Sequence, residues 1–262
     1  MTPSPPSTPL LPLHPDEVHL WVVEPERVTE PRLLAAYVAL LDEGERERRL
    51  RFRFEKHRQQ FLVSHALVRT VLSRYAQVPP QDWRFSTNAY GRPELTGEGL
   101  PRLRFNLSHT DGMAVCAVAL DTEVGADVED SGRPGQTVEL ADSFFARSEV
   151  AALRALPAER QRERFFEYWT LKESYIKARG AGLSLPLDQF AFHLEPGQPP
   201  RISFDPRLVD DPRTWRFVQL QLSERHPAAV AVRRAWELPL KVRCQRTVPL
   251  AGDEPPWFVT AG

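Results

Sequence analysis

A chain of 262 residues, 42% hydrophobic and 26% charged with a formal net charge of −1, has the make-up of an ordinary folded domain or pair of domains, neither disordered nor fibrous. No stretch approaches the roughly 18 uninterrupted apolar residues that span a bilayer, GMAVCAVAL (112–120) coming nearest, and the near-neutral balance argues against a nucleic-acid binder. Two distant cysteines, Cys116 and Cys244, without a CxxC or Cys/His cluster, argue against zinc and disulfides and for a reducing cytoplasm.

The start, MTPSPPSTPLLPLHP, lacks the basic and long apolar regions of an export signal, and its prolines predict a disordered lead-in over 1–15. Residues 46–58 (RERRLRFRFEKHR) set many arginines against only Glu47 and Glu55, a stripe suited to a solvated helix face, to phosphates or to an acidic partner. The spacing of Phe61, Leu62, His65, Leu67, Val68 and Leu72 predicts a helix over 57–76, ended by Pro79 and Pro80. WRFSTNAYGRPEL reads as strand, turn and strand. LRFNLSHT (103–110) and MAVCAVAL (113–120) then read as a hairpin about Asp111-Gly112, and EVGADVE follows as a third strand.

The second half repeats this grammar. FFARSEVAALRAL (144–156) predicts a short helix, and ERFFEYWTLKESYIKA matches the earlier helix with Phe61 over Phe165 and Leu72 over Ile176 at a constant offset of 104 residues. DQFAFHLE, WRFVQLQLS and AAVAVR echo the first half's strands. The expected fold is α+β, a pseudo-twofold duplication of two subdomains, each a helix packed on a small antiparallel sheet, with a ligand cleft between them. The expected boundaries are 16–122 for the N-terminal subdomain and 123–236 for the C-terminal subdomain that carries the metal and catalytic residues. Residues 237–262, lacking a clear period, are expected to form a tail.

The chemistry concentrates in WTLKESYIKARGAGL (169–183). Glu173 and Lys177 sit one helical turn apart on the same stripe, while Phe165, Trp169, Lys172 and Ile176 share another. Taken alone, such a pair is a surface ion pair of about 0.2–0.5 kcal/mol. Gly180 and Gly182 add a helix stop that lets backbone approach something closely. In VGADVED, Asp127 and Glu129 fall on one strand face opposite Val124, Ala126 and Val128. Paired acids there face either open solvent or a cation, and an all-oxygen donor set suits Mg²⁺ better than zinc. Ser108 and His109 in FNLSHT offer donors to a phosphate, although a lone strand histidine is commonly structural. Tyr90, Gly91, Arg92 and Pro93 form a turn that presents a basic side chain.

Together these segments resemble the 4′-phosphopantetheinyl transferases of the Sfp type, over roughly residues 40–195 and in the family's order. The run 169–183 matches W-x-x-K-E-x-x-x-K-x-x-G-x-G-L at every fixed position. The resemblance implies an enzyme that moves the phosphopantetheine arm of coenzyme A to a serine of an apo acyl or peptidyl carrier protein and releases adenosine 3′,5′-bisphosphate. It implies Mg²⁺ held by Asp127, Glu129 and Glu173, with Glu173 as general base, Lys177 and His109 in the catalytic set, and Lys172 assisting or packing over Trp169. Coenzyme A would be bound by Tyr90, Gly91, Arg92, Pro93, Ser108, His109 and Lys177. Where family members often carry lysines for the 3′-phosphate this sequence has Glu45 amid Arg46, Arg48 and Arg49, which leaves Arg48 or Lys56 for that role. A cytoplasmic monomer with an acidic carrier as partner is expected, with no nucleic acid and no membrane. A non-catalytic coenzyme A or carrier-binding module and a metal-dependent nuclease are the competing readings.

Overall fold

The computed structural model describes residues 10–135, 138–235, 237–238 and 240–261. The elements run β1 (Glu17–Val23), α1 (Pro31–Leu40), α2 (Glu43–Leu50), α3 (Glu55–Leu72), β2 (Arg84–Thr87), β3 (Pro93–Thr96), β4 (Leu103–Thr110), β5 (Met113–Leu120) and β6 (Val124–Val128). They continue with α4 (Ala141–Phe144), α5 (Arg147–Arg154), α6 (Ala158–Arg179), β7 (Phe190–His193), β8 (Arg201–Phe204), β9 (Trp215–Ser223), β10 (His226–Arg233), β11 (Leu240–Val248), β12 (Gly252–Asp253) and β13 (Trp257–Ala261). The chain is α+β.

Two sheets and two long helices stack as helix, sheet, sheet, helix, and the core divides accordingly. Trp21, Phe61, Leu62, Leu67, Cys116 and Val118 fill the space between α3 and the larger sheet. Leu20, Val115, Ala117, Ala126, Val128 and Val230 lie between the sheets, and Phe165, Leu171, Tyr175, Phe217 and Ala231 lie under α6. Strict alternation produces this: successive residues of a strand face opposite sides, so β5, buried on both faces, reads as the continuous apolar run MAVCAVAL. That run is thus core, and no helix among the described residues is long and apolar enough to cross a membrane.

The larger sheet has the order β12-β11-β1-β5-β4 with β13 also on β11, and the smaller has the order β6-β10-β9. The strand at 124–128 therefore does not extend the β4–β5 hairpin; it opens the second sheet beside β10. Its outer edge would leave backbone donors unpaired, and side chains of β4 close it. Asn106 Oδ1 accepts from the Ala126 N–H at 2.9 Å, and Ser108 Oγ accepts from the Val128 N–H at 3.4 Å. The motif FNLSH is in this sense the seam between the two sheets.

Several sequence expectations change. Residues 1–9 of the proline-rich lead-in lie outside the described residues, but Leu11 and Leu13 pack against the first core cluster. The helix α3 ends at Leu72, ahead of the prolines, where Ser73 Oγ donates back to Arg69 O at 3.0 Å. The run 144–156 is broken at Phe145, because Glu149 Oε2 accepts from the Ala146 N–H at 3.0 Å and starts α5 there. The tail is no appendage: β11 pairs in parallel with β1, from Glu17 opposite Lys241 to Val22 opposite Arg246, and sits inside the larger sheet. Leu240, Val242 and Cys244 alternate into the core between the sheets, a period-two signal present in LKVRC. Trp236, taken as the last residue before the tail, lies outside the described residues.

Candidate active site

Strand β6 and helix α6 meet closely because Gly125 has no side chain. A Cβ at Gly125 would lie 2.1 Å from Ser174 O and 2.4 Å from Ala178 N, both backbone atoms of α6. This contact lays the last turns of α6 over the far end of β6, so that Lys177 reaches Asp127. Lys177 Nζ donates to Asp127 Oδ1 at 2.5 Å and to Ser108 Oγ at 2.9 Å, and the Ser108 hydroxyl donates to the same Oδ1 at 2.9 Å. Asp127 is buried, and its other oxygen, Oδ2, has no hydrogen-bond partner among the described residues.

Glu129 and Glu173 flank this carboxylate. Burial, followed by the charge of Asp127, pushes the Glu129 carboxyl up to about 7, against the opposing pull of Arg133, whose guanidinium is 3.0 Å away. Burial and then Asp127 also raise Glu173, with Lys177 opposing. No hydrogen bond or ion pair holds Glu173 among the described residues. The charge of Asp127 thus raises the cost of ionising both glutamates, the situation a bound cation relieves.

The donors are hard oxygens, one of them buried and unpartnered, which fits a magnesium-like ion. No three acidic or other ligating side chains among the described residues already form a ligand cage, and Lys177 supplies the positive charge at Asp127.

A groove of about 270 Å³ opens beside these groups, lined by Tyr90, Gly91, Arg92, Pro93, Asn106, Leu107, Glu173, Ile176, Lys177, Gly180 and Gly182. The structure thus brings together the YGRP turn, the FNLSH strand and the α6 residues. His109 stands exposed at the end of β4. Desolvation, then the charges of Lys177, His65 and Arg48, hold its pKa below the usual histidine range. An anion placed among these groups would reverse that shift. Arg48 lies 5.7 Å over the Phe61 ring, which stacks on His65 at 3.8 Å.

Other residues stand apart. Lys56 pairs with Asp111 at 2.7 Å and Glu26 at 3.3 Å and does not line the groove. Glu45 caps α2 through a reciprocal bond with Asp42 and pairs at 2.6 Å with the fully buried Arg69, which explains an acid in a stripe of arginines. Lys172 does not line the groove. It is buried against Glu149 at 2.8 Å, donates to Leu187 O and Phe190 O at 2.7 Å each, and lies 4.2 Å over the Phe190 ring. Glu149 in turn accepts from the Phe192 N–H at 2.8 Å, so the pair ties α5, α6 and β7 together. Removing one partner strands a buried charge, and Lys172→Met is expected to cost about 3–5 kcal/mol of stability in denaturant titration; a change under about 1 kcal/mol would mean the pair is not a brace. Reading from sequence also passed over Asn106, Gly125 and Arg133. A glycine inside an apolar strand is a usable signal of close backbone approach.

A family model described as the 4′-phosphopantetheinyl transferase superfamily matches residues 123–231, and one described as 4′-phosphopantetheinyl transferase, N-terminal, matches residues 28–121. The chain is 34% identical over 229 residues to the 4′-phosphopantetheinyl transferase HetI of Nostoc sp., covering 87% of this chain and 92% of that one. It is 36% identical over 159 residues to the 4′-phosphopantetheinyl transferase Sfp of Bacillus subtilis, covering 60% and 68%. Similarity extends to the L-aminoadipate-semialdehyde dehydrogenase-phosphopantetheinyl transferase of Mus musculus, 28% identical over 207 residues, covering 72% and 66%. With residues 28–121 and 123–231 each matched and a relative 34% identical across 87% of this chain, the chain belongs to the 4′-phosphopantetheinyl transferase family.

Proposed function

We propose that the chain transfers the 4′-phosphopantetheine arm of coenzyme A to a serine of an apo carrier protein in a magnesium-dependent reaction. The observation that carries this reading is Asp127: buried, with one oxygen on Lys177 and Ser108 and the other unpartnered, beside a groove that Glu173 lines.

The carrier serine hydroxyl attacks the phosphorus that bears the pantetheine arm. Its proton goes to Glu173, the phosphoester bond forms, and the diphosphate bond breaks to release adenosine 3′,5′-bisphosphate. Glu173 suits the role because its raised pKa strengthens it as a proton acceptor. Asp127, Glu129 and Glu173 would hold Mg²⁺, which when bound supplies positive charge against the diphosphate. Lys177 turns from Asp127 to the phosphates, Ser108 and His109 donate to them, and Tyr90, Gly91, Arg92 and Pro93 border the adenine end. Arg48, in the electrostatic neighbourhood of His109, is favoured over Lys56 for the 3′-phosphate. Positioning and charge supply most of the catalysis in such transfers.

The first and second sheets share one order, β1-β5-β4 and β6-β10-β9, each with a long helix and a separate hairpin. This supports a pseudo-twofold duplication with its halves dividing near residues 122–123. A cytoplasmic monomer acting on an acidic carrier completes the proposal. Asp127→Asn is expected to weaken Mn²⁺ binding, read by titration calorimetry without coenzyme A, by more than the roughly 10–100-fold that outer-sphere partners carry. Unchanged affinity would remove Asp127 from the metal set.

A further inference from the structure

The β2–β3 turn is built around Asn88. Its Oδ1 accepts the backbone N–H groups of Tyr90 and Arg92 at 2.9 Å each, which shapes the turn locally. Its Nδ2 reaches the other half of the molecule and donates to Gly180 O at 2.8 Å. Arg92 does the same, donating to Ala178 O at 2.8 Å while Glu94 holds its other terminal nitrogen at 2.8 Å.

Both acceptors belong to the end of α6. A helix leaves its last carbonyls without intrahelical partners, and here side chains of the first half supply them, one carrying the positive charge that the helix C-terminus favours. Gly180 records the closeness of the fit. Its φ is +61°, and a Cβ there would stand 2.7 Å from the Arg92 guanidinium. What the glycine admits is therefore a side chain of the protein itself. Lys177, whose ammonium holds Ser108 and Asp127, lies in the turn so fastened.

We propose that Asn88 is a positioning residue: through Gly180 it latches the last turn of α6 to the first half and thereby holds the backbone that presents Lys177 to the groove. The consequence for turnover rests on the reading of this groove as the transfer site, whereas the latch itself is a property of the fold. Asn88→Asp separates the two duties of the side chain. It keeps the acceptor for the Tyr90 and Arg92 N–H groups and replaces the donor to Gly180 with an oxygen that cannot donate. Asn88→Ser is the neutral counterpart, still able to accept within the turn but too short to reach Gly180.

In amide hydrogen exchange followed by mass spectrometry, both variants should exchange faster than wild type around residues 178–182, with β2 and β3 protected as before. Their kcat should fall roughly tenfold, the scale of one lost hydrogen bond, with the KM for the carrier unchanged. Wild-type exchange at the end of α6, or faster exchange with unchanged kcat, would overturn the proposal. If the wild-type protein itself transfers nothing, the reading of the site fails and the exchange comparison alone decides whether the latch exists.

Discussion

Glu173→Gln is expected to lower the single-turnover rate of transfer by roughly 10²- to 10⁴-fold, the range that a positioned general base contributes. The amide keeps the shape of the side chain but has no basic oxygen to take the serine proton. Coenzyme A binding, followed by calorimetry, should remain measurable, because Lys177 and the YGRP turn still line the groove and Ser108 stays on the Lys177 ammonium. The variant should also stay folded: Glu173 makes no ion pair among the described residues, and burial together with Asp127 disfavours its charge. A rate within a fewfold of wild type would exclude Glu173 as the base.

Gly125→Ala is expected to be as damaging through geometry alone. The new methyl group would have to displace two backbone atoms of α6, now 2.1 and 2.4 Å from its position, and a helix backbone cannot turn aside as a flexible side chain does. Overpacking of this kind costs about 1–3 kcal/mol and sometimes more. The displacement also carries Glu173 and Lys177 away from Asp127, and a misplacement of about 1 Å can cost 10²-fold in rate. Denaturant titration and single-turnover kinetics should therefore both change. A variant with wild-type stability and rate would mean that the β6–α6 contact is looser than described.

Much of the candidate site was legible because its residues are ones that short-range rules place well. Asp127 and Glu129 alternate against Val124, Ala126 and Val128, and Ala126 and Val128 do face the core between the sheets. Glu173 and Lys177 share a helix stripe, and both line the groove. Lys172 shows where such reasoning stops. The pattern put it on the stripe of Phe165 and Ile176, which is the buried one, but the partner that makes a buried lysine tolerable is Glu149, on a different helix. Spacing along one element carries no information about a partner on another. The stop at Gly180 was likewise visible, whereas the Arg92 guanidinium that fills its space comes from the other half of the chain. The C-terminal strands were missed for a related reason: β11 finds its place by parallel pairing with β1, the first strand of the chain.

In the proposed reaction this chain uses its acidic cluster to place a dication and move a phosphopantetheine arm. Intact-mass spectrometry of an apo carrier protein incubated with the enzyme and coenzyme A, with Mg²⁺ and in parallel with a chelator, tests it most directly. The carrier should gain one phosphopantetheine at its serine in the presence of Mg²⁺ and none under chelation. A panel of apo carriers left unmodified by the folded protein, or modified equally with the dication removed, would contradict it.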